Sequence, residues 1–98
     1  MTTIEELMAK EKITPVELKE AMTLCLTAVM NGDRTQAENT IRTLAKDVGV
    51  DWDKETLNRE KSMTIMHRLR PLGMRSRDPR LFQENFQKMM MFINKCNW

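Results

Sequence analysis

Tyrosine is absent from this chain, and glycine and proline occur three times each. Aromatic residues make up only 5%. Strands favour aromatic and β-branched residues, so this composition argues against a sheet. The glycines stand alone, which excludes a glycine-rich loop for cradling phosphates. Two cysteines, Cys25 and Cys96, have no CxxC neighbour, and His67 is the single histidine. That set is too small for a zinc site or a disulfide framework. It points to reduced thiols and a cytoplasmic setting. The longest apolar run, "MMMFI", is too short to span a membrane. The opening "MTTIEELMAK" has neither the basic start nor the apolar stretch of a secretory signal.

What the chain does contain are helix formers. Alanine, leucine, methionine, glutamate and lysine are common, and methionine alone occurs ten times. Apolar residues reach 41% and charged residues 31%, the balance of a folded chain. Its 98 residues suit one domain, residues 1–98, with one modest core. The expected fold is all-α: a compact bundle of four main helices plus a short N-terminal helix.

The helix boundaries follow from capping chemistry. Thr2 or Thr3 can cap the first, short helix. Thr14, Pro15 and Glu17 form a capping box at the start of the second, which runs to about Met30 before Gly32. Asp33 and Gln36 open the third, and Gly49 closes it. Asp51 or Asp53 opens the fourth, which ends near Arg70 because Pro71 disfavours helical geometry in its predecessor. Asp78 and Pro79 open the fifth. Apolar residues at helical spacing define the expected core: Leu18, Met22, Cys25, Val29, Ile41, Leu44, Val48, Leu57, Met66, Leu69, Phe82, Phe86, Met89 and Ile93.

Charge divides unevenly along the chain. Residues 1–60 hold 12 acids and 8 bases, whereas residues 61–98 hold 8 bases and 2 acids. The basic excess concentrates in "MHRLRPLGMRSRDPRLF", with Arg68, Arg70, Arg75, Arg77 and Arg80 against one acid. Arginine makes bidentate contacts with carboxylate or phosphate, so a partner surface is one reading. A solvated loop balancing the acidic first half is the plainer one. No aromatic interleaves these arginines, which removes a stacking platform for single strands. The C-terminal "FQKMMMFINKCNW" supplies a second candidate, with Met90, Met91, Phe92 and Trp98 as apolar contacts for a partner or a second copy of the chain.

"TLAKDVGVDWDKETLNREK", Thr43 to Lys61, resembles the helix-turn-helix of DNA-binding proteins. The resemblance lies in Ala45, Gly49 and Val50 and in "TLNR". It implies base or backbone contacts by Lys54, Asn58, Arg59 and Lys61. Leu57 falls about two residues later than that family's spacing. Asp51, Asp53 and Glu55 would face phosphates, so an ordinary helical corner is the alternative.

One histidine in a helical tract supports no catalytic triad, and the carboxylate pairs suit helix starts. No enzyme activity, metal or cofactor is expected. The expectation is a small adaptor or inhibitor, of the economical kind that phages and mobile elements encode. It would bind a larger protein with an acidic surface through an Arg-rich loop and the apolar last helix. The alternative is a dimeric helix-turn-helix regulator.

Overall fold

The structure, a computed structural model, describes residues 2–98. Five helices follow in order: α1 (Ile4–Ala9), α2 (Pro15–Val29), α3 (Arg34–Asp47), α4 (Arg59–Met74) and α5 (Pro79–Asn94). Each begins where a side-chain oxygen accepts from an otherwise orphan backbone N–H. Thr3 accepts from the Glu6 N–H at 3.1 Å, and Asp33 from that of Gln36 at 3.0 Å. At α2 the capping box is complete. The Glu17 N–H donates to Thr14 Oγ1 at 3.1 Å, and the Thr14 N–H donates to Glu17 Oε1 at 3.0 Å. The α2–α3 turn needs two successive left-handed residues, Asn31 (φ 55°) and Gly32 (φ 83°). Glycine takes the second at little cost.

The amphipathic faces assemble into an all-α bundle. Helix α5 is central, packed along α2 and against α4. Helix α3 closes over α2 and touches α4, and α1 lies on α2. Leu18, Met22 and Cys25 of α2 meet Ile41 and Leu44 of α3, Met66 and Leu69 of α4, and Phe82, Met89 and Ile93 of α5 in one core. Val29, Val48 and Phe86, expected in that core, are only partly buried and pack on its edge. Leu7, Ile13 and Cys96 join it, because the two ends of the chain are tied together. The Ile13 N–H donates to the Lys95 carbonyl at 3.2 Å, and the Asn97 N–H donates to the Ile13 carbonyl at 2.7 Å. The Lys95 ammonium donates to the carbonyls of Leu7, Met8 and Lys10 at 2.7–2.9 Å, which closes the C-terminus of α1.

Two boundaries and one buried stripe differ from expectation. First, α4 starts at Arg59, capped by Asn58, whose Oδ1 accepts from the Lys61 N–H at 2.7 Å. Residues 51–58 are not helical. Val50, Trp52 and Leu57 are buried there, and they fix the segment as a folded loop over the core. The Lys19 ammonium reaches the carbonyls of Trp52 and Glu55 and lies 5.6 Å from the centre of the Trp52 ring. Asp51 and Asp53 therefore do not cap α4.

Second, α4 runs through Pro71 to Met74. Proline gives up its own N–H bond there and crowds the carbonyl one turn back, a cost borne in the last turn of the helix at an exposed position. Gly73 is the residue that matters. A Cβ at this position would lie 2.2 Å from the Phe82 ring, so only glycine lets α4 and α5 close at this corner.

Third, the buried stripe of α5 is Phe82, Asn85, Met89, Phe92 and Ile93. Asn85 occupies a core position and donates its amide N–H to the Leu81 carbonyl at 3.0 Å, while its Oδ1 is buried with no partner among the described residues. That rotates the stripe away from Phe86.

Candidate interaction surface

The five arginines do not share one loop. Arg68 and Arg70 lie on α4, Arg75 caps its C-terminus, Arg77 lies in the connection, and Arg80 is in the first turn of α5. All five side chains are exposed. Six ion pairs form among the described residues: Lys10–Glu17, Arg34–Glu20, Arg34–Glu38, Arg42–Glu38, Arg42–Asp53 and Lys61–Glu55. None involves an arginine of this corner. Its single acid, Asp78, is occupied in capping α5, where Oδ1 accepts from the Leu81 N–H at 3.0 Å.

The continuation of α4 past Pro71 sorts the corner into two shoulders. Residues separated by three or four positions share a helix face. Arg68, Leu72 and Arg75 therefore lie on one shoulder, and Arg70 and Met74 on the other. Leu72 is 48% exposed and Met74 55%, large values for such apolar side chains. Between the first shoulder and the α2–α3 hairpin runs an open groove of about 400 Å³. Its floor is Leu26, Leu69 and Phe82, its walls are Val29 and Met30, and Leu72 and Arg77 stand at its rim. A neighbouring hollow along α3, with Gln36, Thr40 and Leu44, shares Leu72 as its border.

The C-terminal candidates fare differently. Phe92 is fully buried and Met90 half-buried against the core, so neither presents a face to a partner. That corrects the expectation for Phe92, whose ring belongs to the core. Met91 and Trp98 are exposed. Met91 lies about 18 Å along α5 from Pro79, at 1.5 Å per residue. The greasy end and the cationic corner are thus two surfaces. The apolar partners of the arginines are Leu72 and Met74, which the expected end of α4 near Arg70 concealed. The spacing 68–72–75 would have exposed them had the helix been carried through the proline.

The helix-turn-helix pattern is not realised. Residues 48–58 separate α3 from α4, far longer than that motif's turn, and they carry the buried Trp52. Asn58 is spent on capping, and the Lys61 ammonium pairs with Glu55 at 2.9 Å. Lys54 lies in the loop before α4 and Arg59 is its first residue, both exposed, so the four residues form no recognition helix.

Burial pushes the Cys25 thiol up to about 12, and it raises that of Cys96 as well, so neither is an activated nucleophile. Among the described residues, no three His, Cys, Asp or Glu side chains gather where they could hold a metal ion. Likewise, no helix is long and apolar enough to cross a membrane. No protein-family model, curated protein or solved structure matches this chain.

Proposed function

We propose that the protein is a non-enzymatic interaction module, an adaptor or inhibitor, that captures a larger protein through an acidic surface. The observation that carries this reading is the α4–α5 corner: five exposed arginines, none in an ion pair among the described residues, beside exposed Leu72 and Met74. Arginine and methionine are enriched at interfaces, where arginine's planar fork matches carboxylates. Positive charge steers encounter, while desolvated apolar contacts hold the complex. Nucleic acid offers phosphates for the arginines but little for Leu72 and Met74 to bury against, and the corner has no aromatic platform for bases.

The test is affinity capture from the native host's lysate with the wild-type chain and with Arg75→Glu/Arg77→Glu. Both substitutions are on exposed positions, and circular dichroism should stay unchanged. The reading expects an identified acidic protein to be captured by the wild type and lost with the variant. Equal capture by both contradicts it. So does tight binding to random duplex DNA, well below the roughly 10⁻⁴–10⁻⁶ M of non-specific contact at physiological salt.

A further inference from the structure

The groove beside α4 has a shape and a charge pattern that specify what could enter it. Its apolar floor and walls come from three helices, and its rim carries Leu72 together with Arg77. Arg68 and Arg75 lie on the same shoulder as Leu72, four residues before it and three after it, about 10 Å apart along the axis. No other charged residue lines the groove. An occupant therefore meets an apolar floor edged by Arg77 and the neutral polar groups of Asn31, Gln36, Thr40 and Ser76, with Arg68 and Arg75 on the shoulder beyond Leu72.

The geometry points to an amphipathic, acidic helix of a partner protein as the occupant. This rests on the proposed role of the arginine corner and adds the partner's form. A β-strand ligand would need a sheet edge, and the described residues contain no strand, only the isolated Ile13–Cys96 bridge; a polyproline II ligand would need an aromatic-lined groove, and Phe82 is the one aromatic in this lining. A helix satisfies its own backbone and needs only side-chain complementarity. One large apolar side chain fills the space between Leu72, Val29 and Met30 above Phe82. Carboxylates a turn to either side reach Arg68 and Arg75. An antiparallel approach places the partner's acidic N-terminal turn at the C-terminus of α4, where the two helix dipoles attract. The recognised pattern then reads acid, three residues on a large apolar residue, four residues on a second acid. Arg77, on the groove's rim, serves the first of these acids, and Arg70 and Arg80 take no part.

The probe is a fluorescein-labelled, stapled helical peptide bearing glutamate, leucine and glutamate at those spacings, titrated with the full chain and read by fluorescence anisotropy. Saturable binding is expected. A tenfold or greater loss should follow from leucine→alanine in the peptide, from Leu72→Glu, and from Arg68→Gln/Arg75→Gln. Leu72 is half exposed, so its variant keeps the fold, which circular dichroism checks. Arg70→Gln/Arg80→Gln should change affinity less than twofold. Binding that is indifferent to the peptide leucine overturns the groove assignment, yet leaves a generic cationic corner intact. Equal losses from the two arginine pairs do the same. No binding at all overturns the helical occupant, and lysate capture then decides separately whether the corner engages an acidic protein in another form.

Discussion

Two regions of this molecule use the same cations for opposite ends. On the α2–α3 side, Glu20, Arg34, Glu38, Arg42 and Asp53 form an unbroken chain of ion pairs joining α2, α3 and the 51–58 loop. The Arg34 and Arg42 guanidiniums are held still more firmly protonated by the hydrogen bonds they donate to their carboxylate partners. Lys19 is drawn in further, onto backbone carbonyls and the Trp52 ring. At the α4–α5 corner, five arginines stand in water with no acid assigned to them. The acids of the first 60 residues are therefore not balancing the corner arginines: five of the twelve form ion pairs, four with bases of their own region and Glu55 with Lys61. Cations in one region organise the fold, and in the other they are spare.

Substitutions sharpen this contrast. The largest effect should come from the apolar underside of the corner. Gly73→Val forces a side chain into the Phe82 ring and should cost about 3 kcal/mol in urea unfolding, the upper part of the overpacking range. A cost near zero would mean that α4 and α5 do not close there. Lys19→Met should lose about 1–2 kcal/mol, since it frees two carbonyls of the 51–58 loop. Amide exchange at residues 51–58 should quicken in that variant while α5 stays protected, and the reverse pattern would break the assignment.

A smaller effect depends on pH. Glu17 is held below its ordinary 4.5 by the Lys10 ammonium and the Thr14 N–H. Its carboxylate thus stabilises the fold above that value, and the contribution fades as pH falls through the lowered folded-state value. Glu17→Gln should accordingly lower the urea midpoint slightly at neutral pH. It should match the wild type in acid below the folded-state value. A gap that persists there would assign the effect to geometry and not to charge.

The legibility of the sequence followed the locality of the forces. Thr14, Asp33 and Asp78 announced their helices because a cap acts over three residues, and Gly32 and Gly49 announced their ends for the same reason. The loop at 51–58 was hidden because its cause is Lys19, 33 residues away from Trp52 in sequence. Its acids imitate a helix start. Asn85 masked the true stripe of α5, since a polar residue in a core position breaks the pattern that marks burial. The site was half legible. Its arginines could be counted in the sequence, and Leu72 and Met74 were hidden by ending α4 before Pro71, but the groove needed Gly73 and Phe82 in contact, a tertiary event.

The central claim is that the corner arginines do nothing for the fold. Replacing Arg68, Arg70, Arg75, Arg77 and Arg80 together by glutamine and measuring urea unfolding tests it most directly. The account predicts a stability within about 0.5 kcal/mol of the wild type, or above it as repulsion between like charges is relieved. A loss of about 2 kcal/mol or more would mean that the arginines are engaged within the chain, and it would contradict the account.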